Sequence, residues 1–420
     1  MKILILGSGG REHSLAWAIK QNPKCDTLLC APGNAGIAQI AECYSLDIMN
    51  AATVIDFVKG QNVDFVIIGP EAPLVADIGG ALRRAGVLTF GPDQAAAQLE
   101  ASKNFTKEVC SDAGIPTAAY AHFTNAEAAK AYVKMQSTPI VIKADGLATG
   151  KGVVIATNEA TALDAIDAIF AGQFADSAAA VVVEEFMEGE EASLFVLCDG
   201  ETALPLGTAK DYKRAFNGDR GPNTGGMGAY SPASILDTVT LDKAMKEIVE
   251  PTLSVLKERG TPYQGVLYAG LIIKDGNPRL VEYNVRFGDP ECQVLMMRLG
   301  AQAFDLIEAT AHGALANTRV NWADDFAITI VMATKGYPGQ YPKGSVIKGL
   351  NELPETSKSV CFHAGTTLID DKLTASGGRV LNVTARADNL EEARILAYSM
   401  VERVDWLEGF FRKDIGISAL

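Results

Sequence analysis

The first hundred residues alternate apolar strands with helices, and few folds accept that order. Lys2–Leu6 is an apolar run of buried-strand type, Glu12–Lys20 is helical and Thr27–Cys30 is again a strand. A helix over Ala51–Lys59, a strand over Phe65–Ile68, a helix over Val75–Ala85 and a short strand over Val87–Phe90 follow. Parallel strands need long crossovers, and a helix supplies each one. The rhythm therefore predicts an α/β unit with an open parallel sheet covered on both faces. Gly7-Ser8-Gly9-Gly10 sits where the first strand feeds the first helix. That is the carboxyl edge of the sheet, where open α/β folds bind ligands.

The 420 residues suffice for roughly three domains of ~150 residues. Their 37 Lys and Arg against 51 Asp and Glu give a net charge of −14. Nucleic acid and anionic membrane surfaces are therefore not expected partners, since both demand a broad basic face. A small anion remains open to a local cluster of cations. The cysteines at 25, 30, 43, 110, 198, 292 and 361 form no CxxC pair, which suits reduced thiols. The histidines at 13, 122, 312 and 363 are scattered, which argues against a zinc site. Met1–Leu6 is too short for a signal-peptide core, and no run nears the ~20 apolar residues of a membrane span. A cytoplasmic location is expected.

Beyond residue 91 a helix is predicted over Gln94–Ala113, carrying Lys103. Residues 117–190 read as a small α/β unit, with strands at Pro139–Lys143, Val153–Ala156 and Ala180–Glu185 and a helix at Glu159–Ala171. Longer strands are expected at Ser193–Cys198 and Gly265–Ile273. Between them lie a long loop, Lys210–Pro232, and a helix near Leu241–Arg259. Loops of that length are commonly functional. Gln293–Leu315 reads as helix, Phe326–Ala333 as strand, Ser359–Ala387 as strand-rich and Asn389–Arg403 as helix.

Six stretches carry candidate chemistry. In the Gly7–Gly10 turn the third glycine of a dinucleotide fingerprint is replaced by Glu12, and no acidic residue closes the second strand. A phosphate monoester on backbone N–H groups beside Arg11, or a plain tight turn, both remain open. Gly69-Pro70-Glu71 ends another strand on the same edge. Lys143-Ala144-Asp145-Gly146-Leu147-Ala148-Thr149-Gly150-Lys151-Gly152 is not a P-loop, because three residues, not four, separate Gly146 from Gly150. It suits a glycine-rich lid over phosphates, or a flexible hairpin. Val181–Glu185 runs apolar into Glu184, Glu185, Phe186 and Glu191, a weak signal alone. Lys210, Lys213, Arg214 and Arg220 gather on the predicted long loop. Finally, strand alternation puts Glu282, Asn284 and Arg286 on one face and Val281, Tyr283 and Val285 on the other. Carboxylate plus amide oxygen suits Mg²⁺, and the arginine suits phosphate; a solvated edge strand reads the same way.

In their order these stretches resemble the ATP-grasp ligases, and within them the glycinamide ribonucleotide synthetase family. The resemblance runs nearly end to end: GSGGREH at 7–13, GPEAPL at 69–74, SKNFTKEVCSDAGIPTA at 102–118, KADGLATGKGV at 143–153, EEFMEGEEAS at 184–193, GPNTGGMGAYSP at 221–232, EYNVRFGDPE at 282–291 and GGRVLNV at 377–383. It implies an N-terminal open-sheet domain at 1–101, an ATP-grasp domain at 102–325 with a lid at about 117–190, and a C-terminal α/β domain at 326–420. It implies a monomer that joins glycine to 5-phosphoribosylamine at the expense of ATP. By family pattern, ATP would meet Lys103, Lys143, Gly146, Gly150, Lys151, Gly152, Glu184, Glu185, Phe186 and Glu191. Mg²⁺ or Mn²⁺ would sit on Glu282 and Asn284, with Arg286, Lys143 and Asp211 as catalytic residues. The other substrates would meet Gly9, Gly10, Arg11, Glu12, Pro70, Glu71, Lys213, Asn223, Gly225, Gly226, Met227, Asp289 and Glu291. The strand Gly265–Ile273 offers no second metal carboxylate.

Overall fold

Five strands at the N-terminus pair in parallel, in the order Glu42–Cys43, Thr27–Pro32, Lys2–Gly7, Phe65–Ile68 and Leu88–Phe90. The computed structural model describes residues 1–147, 152–173, 180–354 and 356–419. The first strand is apolar on both faces because each face meets a different core. Ile3 and Ile5 join one cluster with Phe195, Leu197 and Met296, while Leu4 and Leu6 join another with Leu194, Val196 and Tyr283. Both clusters reach strand Glu190–Asp199, so the N-terminal unit is packed onto the middle of the chain.

Among the described residues the largest sheet runs Asn277–Asn284, Gln264–Lys274, Glu190–Asp199, Ala203–Asp211, Gly228–Ser231, Phe326–Thr334, Arg379–Ala387, Ser359–His363. It is continuous through the pairing of Gly228–Ser231 with Phe326–Thr334. A second sheet runs Tyr120–Phe123, Val181–Glu185, Ile140–Ala144, Val153–Ala156, backed by helices Ala126–Val133 and Glu159–Phe170. The first of those strands and the first of those helices carry too short a pattern to stand out in the sequence.

The structure corrects several predicted elements. Lys210–Pro232 is not a long loop. Strand Ala203–Asp211 runs into it, Arg214–Phe216 pairs with Arg220–Asn223 as a hairpin, and Gly228–Ser231 joins the large sheet. These pieces span three or four residues, too few for periodicity, and one partner strand lies about a hundred residues later in sequence. The helix over Gln94–Ala113 is two, Gln94–Ala101 and Lys103–Ala113, broken by extended backbone at Ser102. Ser102 Oγ accepts the Phe105 N–H at 3.1 Å and caps the second helix. Val75–Ala85 likewise divides into Glu71–Val75 and Ile78–Arg84 at Asp77, and Gln293–Leu315 into Glu291–Leu299 and Gln302–Ala311 at Gly300.

Candidate active site

A cleft of about 870 Å³ lies between the small sheet and the large one. At one end it is lysine-rich. Lys103 and Lys107 stand four residues apart on helix Lys103–Ala113, so they share a face. The break at Ser102 makes Lys103 the first helical residue, and Asp145 takes the exposed helix terminus. Asp145 Oδ1 accepts from Lys103 N at 2.7 Å, and Oδ2 from Ser102 Oγ at 3.3 Å. Lys103 Nζ donates to Gly146 O at 2.9 Å, tying the helix to the start of the predicted lid. Burial pulls the Lys103 and Lys107 ammoniums below the ordinary lysine range, against the opposing pull of Glu282 and Glu184 respectively. Lys143, on strand Ile140–Ala144, is buried and pairs with Glu184 at 2.8 Å.

Opposite the lysines, strand Asn277–Asn284 carries a bulge. Glu282 stands across from Gly270 but Leu280 across from Leu271, so Val281 is an extra residue. Strict alternation therefore fails below Glu282. Val281 lines the cleft with Glu282 and Asn284, while Leu280, Tyr283 and Val285 enter the core. Tyr283 is anchored there by its hydroxyl, 2.6 Å from Thr252 Oγ1. Glu282 and Asn284 are half-buried, and among the described residues neither side chain is engaged in a hydrogen bond. Two adjacent free oxygen donors facing a cation-lined cleft fit a Mg²⁺ ion shared with phosphates, as hard-ion chemistry requires. Opposite them are Gly270 and Tyr268, so the neighbouring strand contributes no carboxylate.

Arg286 lies beyond the end of that strand but still lines the cleft. Its Nη2 donates to Glu100 Oε1 at 2.7 Å and its Nε to Glu71 Oε2 at 3.2 Å. Burial alone would raise Glu71, yet Arg286 and Arg11 outweigh it and hold its carboxyl down at about 2. Glu100 is raised by burial. The arginine thus arrives already paired, and it orients more than it attracts.

The glycine turn differs from a phosphate nest. Gly9 N donates to Glu12 Oε2 at 2.6 Å, and Arg11 N to Asp289 Oδ2 at 3.3 Å. Glu12, buried, fills the turn: a Cβ on Gly7 (φ +130°) would fall 2.5 Å from its Cγ, and one on Gly69 would strike its carboxylate. Donors expected for a ligand phosphate are spent on the chain's own carboxylates. Gly9, Gly10, Glu12, Pro70, Gly226 and Met227 are not among the residues lining the cleft; Met227 is a core residue. Arg11 does reach the cleft, its Nε bonded to Glu12 at 2.6 Å and its Nη1 to Phe287 O at 3.0 Å.

The cleft is also lined by Asp211, Lys213, Asn223, Gly225, Asp289 and Glu291. Lys213 bridges to Glu191 at 2.7 Å. Burial raises the Asp211 carboxyl to about 7, with Glu291 and Glu191 adding to it against Lys213. Glu291 accepts from Tyr268 OH at 3.0 Å, which in turn accepts from Ser193 Oγ at 2.9 Å. Arg379, on a C-terminal strand, lines it too. Its Nη1 donates to Gly225 O at 2.7 Å, to Gly226 O at 3.4 Å and to Asp289 O.

Lys103, Lys143, Gly146, Gly152, Glu184, Glu185, Phe186 and Glu191 all line the one cleft. Gly150 and Lys151 lie outside the described residues. Backbone at Glu184 and Glu185 is partly spent, because Glu184 sits inside two ladders and Glu185 N donates to Ala119 O. Glu185 instead pairs with Arg279 by its side chain. Sequence reasoning missed Lys107, Glu100, Asp145, Tyr268 and Arg379. Only Lys107, Asp145 and Arg379 fell within stretches that carried the family resemblance, and nothing in the spacing marked them. His13 and His363, far apart in sequence, also meet, with His363 N donating to His13 Nδ1 at 2.8 Å. Burial keeps both rings neutral, His13 down at about 3 and His363 at about 4.

Two sheets facing each other over paired lysines and a Glu–Asn pair, beside an open parallel-sheet unit, define an ATP-grasp ligase. A crystal structure of a biotin carboxylase domain from Hydrogenobacter thermophilus shares that fold at TM-score 0.73 over 98% of this chain and 91% of its own, with 17% identity. Family models match the phosphoribosylglycinamide synthetase N domain at residues 1–100, its ATP-grasp (A) domain at 101–292 and its C domain at 327–418. The chain is 56% identical to a phosphoribosylamine–glycine ligase of Agrobacterium fabrum, over 100% of this chain and 99% of that one. It is 52% identical to a chloroplastic one of Arabidopsis thaliana over 98% of this chain and 79% of that one. The crystal structure of the Thermotoga maritima ligase superposes at TM-score 0.87, with 32% identity over 99% of this chain and 100% of that one. The chain belongs to the phosphoribosylglycinamide synthetase family. Among the described residues no helix is long and apolar enough to cross a membrane.

Proposed function

We infer that this chain joins glycine to 5-phosphoribosylamine, converting ATP to ADP and phosphate and releasing glycinamide ribonucleotide. The observation that carries this reading is a single cleft lined by the lysines Lys103 and Lys143, the free Glu282–Asn284 pair and the buried carboxyl of Asp211. Full-length similarity to proteins named for that reaction supports it.

A carboxylate is a poor electrophile, so the reaction divides. A glycine carboxylate oxygen attacks the γ-phosphorus, the bond to the bridging oxygen breaks and ADP leaves. The amine nitrogen then attacks the acyl carbon, phosphate leaves and the nitrogen gives up a proton. Phosphoryl transfer asks the protein for alignment and charge neutralisation. Lys103 and Lys143 offset phosphate charge. Glu282 and Asn284 would hold Mg²⁺ or Mn²⁺, which supplies charge neutralisation at the phosphate oxygens. Arg286, locked by Glu71 and Glu100, orients the substrate carboxylate or phosphate beside it. Asp211 accepts the amine proton, for which a carboxyl near 7 is suited. Arg11, Asn223, Gly225, Asp289 and Glu291 form the acceptor end.

The test is ADP release with ATP, glycine and 5-phosphoribosylamine together, then with each omitted. Release should require all three. Turnover that ignores glycine overturns the assignment, whereas ATP binding without turnover marks a nucleotide-binding protein that lacks the chemistry.

A further inference from the structure

One carboxylate in the cleft is shared by two lysines, and only one of them takes part in the reaction above. Glu184, 3% exposed, receives Lys143 Nζ on Oε2 at 2.8 Å and Lys107 Nζ near Oε1 at 3.3 Å. Lys107 and Lys143 are 2% and 4% exposed. Their remaining tethers differ. Lys107 Nζ also donates to Thr117 Oγ1 at 2.8 Å and Ala118 O at 3.4 Å. Lys143 Nζ has one long bond, 3.3 Å, to Val281 O. Lys107 is therefore fixed, and Lys143 is the one able to move.

A lysine that turns from Glu184 to a nucleotide phosphate would ordinarily strand a buried carboxylate, and an unpaired buried charge is strongly unfavourable. The triad avoids this, because two cations on one anion leave a surplus of one positive charge. We propose that Lys107 is a positioning residue that serves as the resident counter-ion of Glu184, freeing Lys143 to engage the nucleotide phosphates. The proposal rests on the ATP-ligase reading. It explains why a second buried lysine, four residues along the same helix face from Lys103, pairs with Glu184. Lys107 Nζ also lies 5.5 Å from the centre of the Tyr120 ring, and the nearby Cys110 thiol is pushed up to about 12 by burial and stays neutral.

Four variants test it: Lys107→Met, Lys107→Arg, Glu184→Gln and the double variant Lys107→Met/Glu184→Gln. ATP affinity is measured by calorimetry, and kcat and KM for ATP and glycine by ADP release. Lys107→Met should weaken ATP by about tenfold or more while the KM for glycine stays within about twofold. Lys107→Arg should restore binding. Adding Glu184→Gln to Lys107→Met should bring ATP affinity back to that of Glu184→Gln alone, since no charge then needs compensation. If Lys107→Met fails to fold, the double variant against Glu184→Gln carries the same comparison. Undiminished ATP binding by Lys107→Met, or a double variant far weaker than Glu184→Gln, overturns the proposal. A wild-type protein that binds no ATP overturns the ligase reading and this proposal together. Binding by wild type with an indifferent Lys107→Met overturns the proposal alone.

Discussion

Arg379→Met should disable the acceptor end of the cleft while leaving the nucleotide end intact. Arg379 is the C-terminal residue whose guanidinium holds Gly225, Gly226 and Asp289 by their carbonyls. Two of these bonds are close and one is long. A hydrogen bond from a charged donor is worth about 1.5–3 kcal/mol. The side chain is 21% exposed, so the lower figure applies to each close bond, giving roughly 3 kcal/mol in all. At ~1.36 kcal/mol per tenfold, kcat/KM for 5-phosphoribosylamine should fall by about two powers of ten. The KM for ATP should stay within about twofold, because Arg379 touches none of the lysines. Gly225→Ala perturbs the same contact from the other side. Its Cβ would stand 3.0 Å from Arg379 Cζ, and it should lower the same ratio by a smaller factor with the fold intact. Initial rates with each substrate varied in turn, alongside thermal melts, decide the matter. Equal losses for ATP and the amine, or a lowered melting temperature with unchanged kinetics, would refute the reasoning.

Glu282→Ala should lower kcat by orders of magnitude, since it removes a carboxylate from the proposed metal pair, with little change in stability because the side chain is half-buried and makes no hydrogen bond among the described residues. Near-normal turnover at saturating Mg²⁺ would mean the assignment is wrong. Asp211→Asn should flatten the rise of kcat/KM with pH near 7, because wild-type Asp211 is protonated below about 7 and a base only above it. The sign for stability is opposite: burial disfavours the charged form, so wild type should lose stability relative to Asp211→Asn as pH climbs above the ordinary carboxylate range, levelling off above about 7. Urea midpoints at pH 5 and pH 8 check that sign, and a parallel pH dependence in the two proteins would contradict it.

The sequence by itself determined the class of fold and the chemistry available at each strand end. An apolar strand feeding a glycine turn and a helix, with further strand–helix pairs behind it, leaves a parallel sheet as the simple solution, and the parallel five-stranded sheet is what forms. Glu282 and Asn284 were legible because strand alternation holds between them. It failed one residue before Glu282, where a bulge moved Val281 into the cleft; a bulge depends on the partner strand and leaves no periodic mark. Tertiary structure decided which charges are free. Glu12 fills its own glycine turn, and Arg286 lines the cleft already held by Glu71 and Glu100. Arg379 acquires its place from a strand that closes the large sheet about 150 residues beyond the loop it holds. Local patterns record what one element must bury. Pairing between charges depends on distances that only the packed chain creates.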